Sequence, residues 1–405
     1  MAYPTIIERS GALSATGLAK EASFGVPVAA TTFLPMSANS MATDPGWFSP
    51  VLMQGVRDKQ VYNLYGEQKN AGAITGPIFP SNAIQLLVAS IGADNVAGSG
   101  ITGVAGTGTT TLSGGVSAGA GTITVASATG FTTGQVVQID VNGTGPTTTA
   151  ECRKITVSGT TFTLDQALTY SHLTGVAVIG VVAPYTHTIQ QQNTLPSLTV
   201  EKNIGGYQSL QYAGCRINKW DLKAPVGNSP VEMTADIMAQ SVAVLGTPTP
   251  PTIANESPFV FAEASVSIFG SARAEASNIA MSIENGIKET YTYGNHGPAF
   301  LTPVTLHATG TLDVVFSSLN DATYGDFTKM QNGTLGALTF SLTHPASAGT
   351  ITITHPQVAL SKYGNDLKTE DVIMSALTYE ASRPLTGGSQ YTVQATVVNS
   401  VYLPY

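Results

Sequence analysis

The sequence predicts a mainly β protein: two β-sandwich or partial-barrel units, each with a short flanking helix, plus a small inserted all-β module. Three observations predict it. The same order of elements, strand, short helix, then three strands, is written twice. A segment of different composition interrupts the first copy. A proline-rich stretch, Pro248-Thr249-Pro250-Pro251, divides the two copies. The order of elements, and not residue identity, is the sign of duplication.

Residues 1–50 read as an extended N-terminal arm. Pro4, Pro27, Pro35, Pro45 and Pro50 break it, and only Leu13–Ala22 has the makings of a brief helix. Phe24, Phe33, Trp47 and Phe48 give the arm apolar groups to dock.

The first unit covers 51–95 and 185–247. It opens on a strand, Gly72–Phe79, and a compact helix, Ser81–Ile91. Ser81 is a helix N-cap residue, Ile84, Leu87, Val88 and Ile91 share one face, and Gly92 supplies the stop. A helix so short holds only when packed, so it belongs on a sheet. Strands follow at Leu195–Lys202, Tyr207–Ala224 and Val231–Gln240.

Residues 96–184 read as an inserted β module, an outer decoration. Asn95–Gly121 is a Gly/Thr/Ser/Ala run, read as a linker or as loose strands. Thr122–Ala126, Gln135–Val141, Glu151–Val157, Thr161–Leu164 and Val176–Val182 have strand patterning, with Gly130, Gly134, Asn142-Gly143 and Gly159 at the turns. Phe131, Phe162 and Tyr170 read as its core. Insertions of this kind are tolerated at exposed loops.

The linker, 248–258, is extended and semi-rigid. The second unit, 259–405, repeats the first: strand Ala308–Phe316, helix near Tyr324–Gln331, strands Ala337–His344, Thr350–Ser361 and Val372–Ala381, then a C-terminal arm, Val397–Tyr405. His344-Pro345 and His355-Pro356 read as strand ends.

Composition narrows the function. Only 10% of the 405 residues are charged, where soluble globular domains carry about 25%. Such a surface suits a body covered by copies of itself. The formal net charge of −8 argues against tight nucleic-acid binding, which needs clustered Lys and Arg. It permits passing contact, since an acidic wall lets a polyanion slide. Cys152 and Cys215 are expected to be free thiols. No signal peptide is read at Met1-Ala2-Tyr3-Pro4, and the longest apolar stretch, Leu173–Val182, is too short to span a membrane.

Chemical motifs are weak. Gly115-Val116-Ser117-Ala118-Gly119 matches a nucleophile-elbow pattern, but a Gly/Ser run precedes it and a strand follows, where that chemistry needs strand then helix. The six histidines, His172, His187, His296, His307, His344 and His355, have no metal-site spacing. The expectation is no enzyme, no cofactor and no metal.

Two strands alternate in a way that suggests a lining. Val231, Met233, Ala235, Ile237 and Ala239 face one way, while Glu232, Thr234, Asp236, Met238 and Gln240 face the other. Around Asp313 the pattern recurs, with Thr309, Thr311 and Asp313 opposite Leu312 and Val314. One face suits a core; the other carries acid and threonine but no base.

Three segments then resemble a known family, the major tail tube proteins of long-tailed, siphovirus-type bacteriophages. Leu18-Ala19-Lys20-Glu21-Ala22-Ser23-Phe24-Gly25 resembles its N-terminal segment. Leu195–Lys202 with Tyr212-Ala213-Gly214-Cys215-Arg216-Ile217-Asn218 resembles its central strands, and Ile279–Gly286 resembles a later strand and turn. The resemblance covers most of the chain outside 96–184. It implies a virion tail protein, made in the host cytoplasm, that closes into rings and stacks into the tube through which DNA is ejected. It implies as partners other copies of the chain, the tape measure, tail terminator and distal tail proteins, and transiently passing double-stranded DNA, with no membrane.

On this reading Glu232, Thr234, Asp236 and Asp313 are candidates to line the lumen. Phe24, Trp47, Phe48 and Tyr402 are candidates for contacts between subunits or rings. The doubled unit favours a trimeric ring with pseudo-sixfold symmetry, with a hexamer as the alternative. The rival class is a surface or secreted β-rich adhesin or glycan-binding protein, which a signal peptide or an aromatic groove would favour.

Overall fold

The structure, a computed structural model, describes residues 11–53, 57–58, 62–81, 84–94, 100–141, 149–253, 256–321, 323–345, 349–367, 372–387 and 390–405. The first ten residues of the arm, the Asn142-Gly143 turn and the start of the Asn95–Gly121 run lie outside these residues.

In chain order the first elements are β1 (Ala15–Lys20), β2 (Thr32–Leu34), β3 (Ala38–Asn39), β4 (Ala42–Asp44), β5 (Lys69–Pro77), α1 (Ile84–Ile91) and β6 (Gly92–Ala93). Next come β7 (Thr102–Thr111), β8 (Thr122–Thr124), β9 (Val136–Ile139), β10 (Glu151–Ser158) and β11 (Thr161–Leu164). The long β12 (Ala177–Gln191) leads back to β13 (Leu198–Ile204), β14 (Gln208–Pro225), β15 (Glu232–Ala239) and β16 (Ser241–Leu245). The remainder holds β17 (Ala264–Ile268), β18 (Ser271–Ala272), β19 (Ala276–Glu284), β20 (Lys288–Thr290), β21 (Phe300–Thr302) and β22 (His307–Val315). It closes with α2 (Asp326–Gln331), β23 (Gly336–Thr343), β24 (Thr350–Asp366), β25 (Met374–Ala381) and β26 (Gln394–Asn399). The protein is mainly β, and its described ladders are antiparallel.

Two sets of strands pair in the same order. β13 joins the first half of β14, which β16 flanks on its other side; the second half of β14 joins β15, and β15 joins β5. Likewise β23 and β26 flank the first half of β24, whose second half joins β25, and β25 joins β22. β1 lies on β13 and β17 on β23, each with a short hairpin partner, β2 or β18. The long strands exchange partners at a local break. In β14 it is Gly214, at φ +64. In β24 it is near Pro356, which has no N–H to give to a ladder.

The sets are fused where β19 pairs with β14 on one side and β22 on the other. The result is one continuous sheet in the order β4–β5–β15–β14–β19–β22–β25–β24. One of its faces buries a core that includes Trp220, Leu222, Ile237, Ile283, Leu312, Leu377 and Tyr379. Helix α1 lies over β14 and β19, and α2 over β24. Phe327 of α2 packs on Tyr363, with ring centroids 5.6 Å apart.

The segment 100–176 has a separate core, completed by Val178 at the start of β12, in which Phe131 and Phe162 pack 5.1 Å apart among Ile123, Val137 and Ile155. Tyr170 stays outside that cluster, and its amide donates to Glu151. β12 belongs to both regions. Its first half pairs with β7 and β9, and its second with β26 and β6.

Some expectations change. Leu13–Ala22 is not a helix of its own; a 3-10 turn, Gly11–Leu13, ends at its first residue. Residues 15–20 form β1, because pairing with β2 and β13 buries Leu18 and Ala19 and outweighs a weak helix preference. Part of the Gly/Thr run is the regular strand β7. His344 follows β23, whereas His355 lies inside β24, buried and bonded to the Thr392 carbonyl at 2.9 Å. The end of the chain is not all arm, since Gln394–Asn399 is a strand between β12 and β24. Both cysteines are free and buried, and burial pushes the Cys152 thiol up to about 12.

Trp220 is fully buried, and its indole N–H has no partner among the described residues. Trp220→Ala is expected to cost roughly 3–5 kcal/mol in unfolding free energy, measured by denaturant titration. Trp220→Phe is expected to cost less, since it also removes a buried unpaired donor. Equal costs would contradict this account.

Candidate functional site

The face of the continuous sheet away from the core is a built surface, because directly opposed residues on antiparallel strands share a face. Thr75, Thr234, Asp221, Ser282, Thr309 and Glu380 form one row across it. Pro77, Glu232, Lys223, Ala280, Thr311, Thr378 and Lys362 form the next. Asp236, Lys219, Glu284 and His307 lie to one side, and Asn278, Asp313 and Ala376 to the other.

All four predicted lining residues, Glu232, Thr234, Asp236 and Asp313, therefore stand on this one face, although they come from two distant strands. Thr234 bonds Thr75 across the ladder at 3.2 Å, and Asn278 donates to Asp313 at 3.0 Å. β15 and β22 carry no Lys or Arg themselves, but the neighbouring β14 brings lysines to the same face. Lys223 stands opposite Glu232 and Lys219 opposite Asp236. Lys219 also donates to Asp221 at 2.8 Å, and that bond holds its ammonium above the ordinary lysine value. Burial pushes the Asp236 carboxyl up, with Asp221 adding to the rise and Lys219 opposing it. The signal was present in the sequence: Lys219, Asp221 and Lys223 alternate with Trp220, Leu222 and Ala224. Acids still outnumber bases, and hydroxyl groups and small residues separate them.

Between β4 and β5 the described residues include a cluster of exposed apolar side chains. Phe48 and Leu64 pair within it, Trp47 packs on Tyr65 at 5.4 Å, and Trp47 is 63% exposed. The β20–β21 hairpin, which links β19 to β22, projects beside it. The Tyr65 and His296 rings pack tilted, centroids 4.1 Å apart, and the Gln68 amide donates to the His296 carbonyl. Sequence reasoning found the cluster and missed the hairpin, whose exposed aromatics are Tyr293 and Phe300.

The other two contact candidates are engaged within their own chain. Phe24 lies under the Arg216 guanidinium at 4.8 Å. Tyr402 packs on Tyr185 and donates to Asp165 of the 100–176 segment at 2.7 Å. Ser117 is exposed in a turn, with a β-bridge before it. Among the described residues, no group of three or more His, Cys, Asp or Glu side chains is placed to hold a metal ion, and no helix is long and apolar enough to cross a membrane.

The sheet ends on two edges that lack a second partner among the described residues. They are the outer side of β3 and β4, and that of β24 beyond Val358. Paired backbone and an apolar core on one side, with open backbone at both ends, is an arrangement for joining sheets.

A family model described as phage tail tube protein matches residues 11–395. A search of curated proteins returned no match.

Proposed function

Because the chain belongs to the phage tail tube protein family, we propose that three copies close into a ring whose inner wall is the continuous sheet. Stacked rings then make the conduit for DNA. One observation carries this reading: the seam between β14 and β19 inside the chain has a half-made counterpart at its two ends. β14 offers β19 the free side of its second half. β24 has the same free side, and β3 and β4 lie on β5 as β19 lies on β22. Pairing β24 of one copy with β3 and β4 of the next repeats the internal seam. α2 on β24 stands where α1 stands beside β14, so each seam gains a helix behind it.

In this reading each chain is two tube units joined by the 248–258 linker, with the 96–184 module outside. The open face, with Glu232, Thr234, Asp236 and Asp313, lines the lumen. Its mixed charge with acid in excess gives a polyanion few places to stick. The apolar side chains around Trp47, Phe48, Tyr293 and Phe300 reach the next ring, and Phe24 and Tyr402 sit close to subunit boundaries. The tape measure, terminator and distal tail proteins meet the tube at its bore and ends.

Native mass spectrometry of isolated rings is expected to give three times the 41.8 kDa chain mass. Reconstruction without imposed symmetry is expected to show alternating, inequivalent units. A ring of six identical chains would overturn the trimer and leave the tube standing. A protein that stays monomeric under every tail-assembly condition would overturn the tube.

A further inference from the structure

Two buried histidines each set both ring nitrogens against oxygens, an arrangement that needs one proton more than a neutral imidazole beside a carboxylate supplies. Nδ1 of His187 lies 3.1 Å from an Asp94 carboxylate oxygen, and its Nε2 lies 2.8 Å from the Val401 carbonyl oxygen. Nδ1 of His172 lies 3.4 Å from Asp140, and its Nε2 lies 3.2 Å from Glu151. Carboxylates and carbonyls only accept, while a neutral imidazole donates from one nitrogen and presents a lone pair on the other. All five of these side chains are at most 1% exposed, so water does not relieve the mismatch.

We propose that His187 and His172 are both imidazolium cations in the folded protein, and that they act as proton-dependent clamps on the 100–176 segment. The first clamp sits at its root. Asp94 precedes the segment, and His187 is on the strand that returns from it. Val401 and Tyr405 belong to the tail after β26, and the Tyr405 amide also donates to Asp94 at 3.1 Å. The second clamp ties the end of β9, the start of β10 and the loop before β12. Besides His172, Glu151 accepts the Thr169 and Tyr170 amides and pairs with Arg153, all of which favour its carboxylate form. Burial raises its pKa, but bonds from His172 and from the Thr169 and Tyr170 amides, with Arg153 beside it, more than offset that and hold it below its ordinary value.

The charged and titratable surroundings agree. His187 faces Asp94 and the Tyr405 ring at 5.1 Å. Lys20 bonds the Tyr405 carbonyl, and Tyr170 and Glu256 lie farther out. His172 faces Asp140 and Glu151, with Arg153, Tyr170 and Cys152 behind Glu151. A carboxyl group meets each imidazole directly, and Arg153, behind Glu151, is itself bound to Glu151. Removing the second proton sets a nitrogen lone pair against an oxygen in a dry site, and one contact must open. Each clamp therefore depends on that proton.

Long-range proton–nitrogen NMR of the full chain tests this. At neutral pH all four ring nitrogens of His172 and His187 are expected to show protonated, pyrrole-type shifts. In Asp94→Asn the amide can donate to Nδ1, so His187 alone is expected to fall to the one-proton form. In Asp140→Asn, His172 alone is expected to do so. A pyridine-type nitrogen on wild-type His187 at neutral pH overturns the root clamp, and one on His172 overturns the other.

Discussion

Prolines at Gly364 and Asn365 are expected to separate folding from assembly. Both residues lie on the free side of β24, opposite Ala376 and Ser375 of β25. In an antiparallel ladder adjacent residues alternate between donating inward and donating outward. One of these two N–H groups therefore serves β25 and the other the open edge. Proline at the outward position removes a backbone donor with no partner among the described residues, and at Asn365 it also removes the bond from Ser375, which Asn365→Ala controls for. That variant is expected to melt like wild type and to form no tubes, because every seam of every ring loses the bond and gains a ring that blocks approach. Proline at the inward position is expected to lower the melting temperature instead, by a hydrogen bond worth about 1 kcal/mol and the strain around it. Gly364→Ala is the control. A Cβ there meets open space within 4 Å, so it should assemble. Calorimetry and negative-stain microscopy read both properties. If the variant with wild-type melting makes ordinary tubes, β24 is not the seam.

Lysine at Thr234 and Asp313 is expected to leave rings intact and hold DNA in them. Both positions face away from the core and are half-exposed, so the cost falls on the Thr75 and Asn278 bonds alone. Each added cation offers a phosphate contact and recurs in every copy along the tube. Every contact made should steepen the dependence of log affinity on log salt by about 0.9. DNA retention by assembled tubes is therefore expected to rise at low salt and vanish at high salt, with ejection slowed in proportion. Thr234→Cys gives a check free of DNA: on intact tubes it should resist a maleimide too bulky to enter the bore. Rapid labelling from outside, or lysine tubes indifferent to DNA, would remove this face from the lumen.

Much of this was legible in the sequence, for identifiable reasons. Ile84, Leu87, Val88 and Ile91 with Gly92 fix α1, and alternation fixes β15 and β22. β1 was not legible. Its residues Ala15–Lys20 have no period, and only the distant partners β2 and β13 decide its shape. The free edges were not legible either, since an edge is defined by which strand is missing beside it. The lining was half legible. Asp236 shows its alternation locally, but the Lys219 opposite it is set by a register shift in the ladder between Ile217 and Lys219. Asp94 and His187 are 93 residues apart, and no spacing rule joins them.

β12 has a mechanical consequence. It is one strand that enters the 100–176 segment at one end and the β26 ladder at the other. Bonds in an antiparallel ladder stand perpendicular to the strand. A pull on the segment along β12 therefore loads the pairs from Tyr185–Asn399 to Gln190–Gln394 together, in shear, where a hinged attachment would unzip them one at a time. β26 passes that load to β24 through Ile351–Val397 and Ile353–Ala395. The segment is thus a lever built into the frame of the chain, and force applied to its tip arrives at the strand proposed to join one copy to the next.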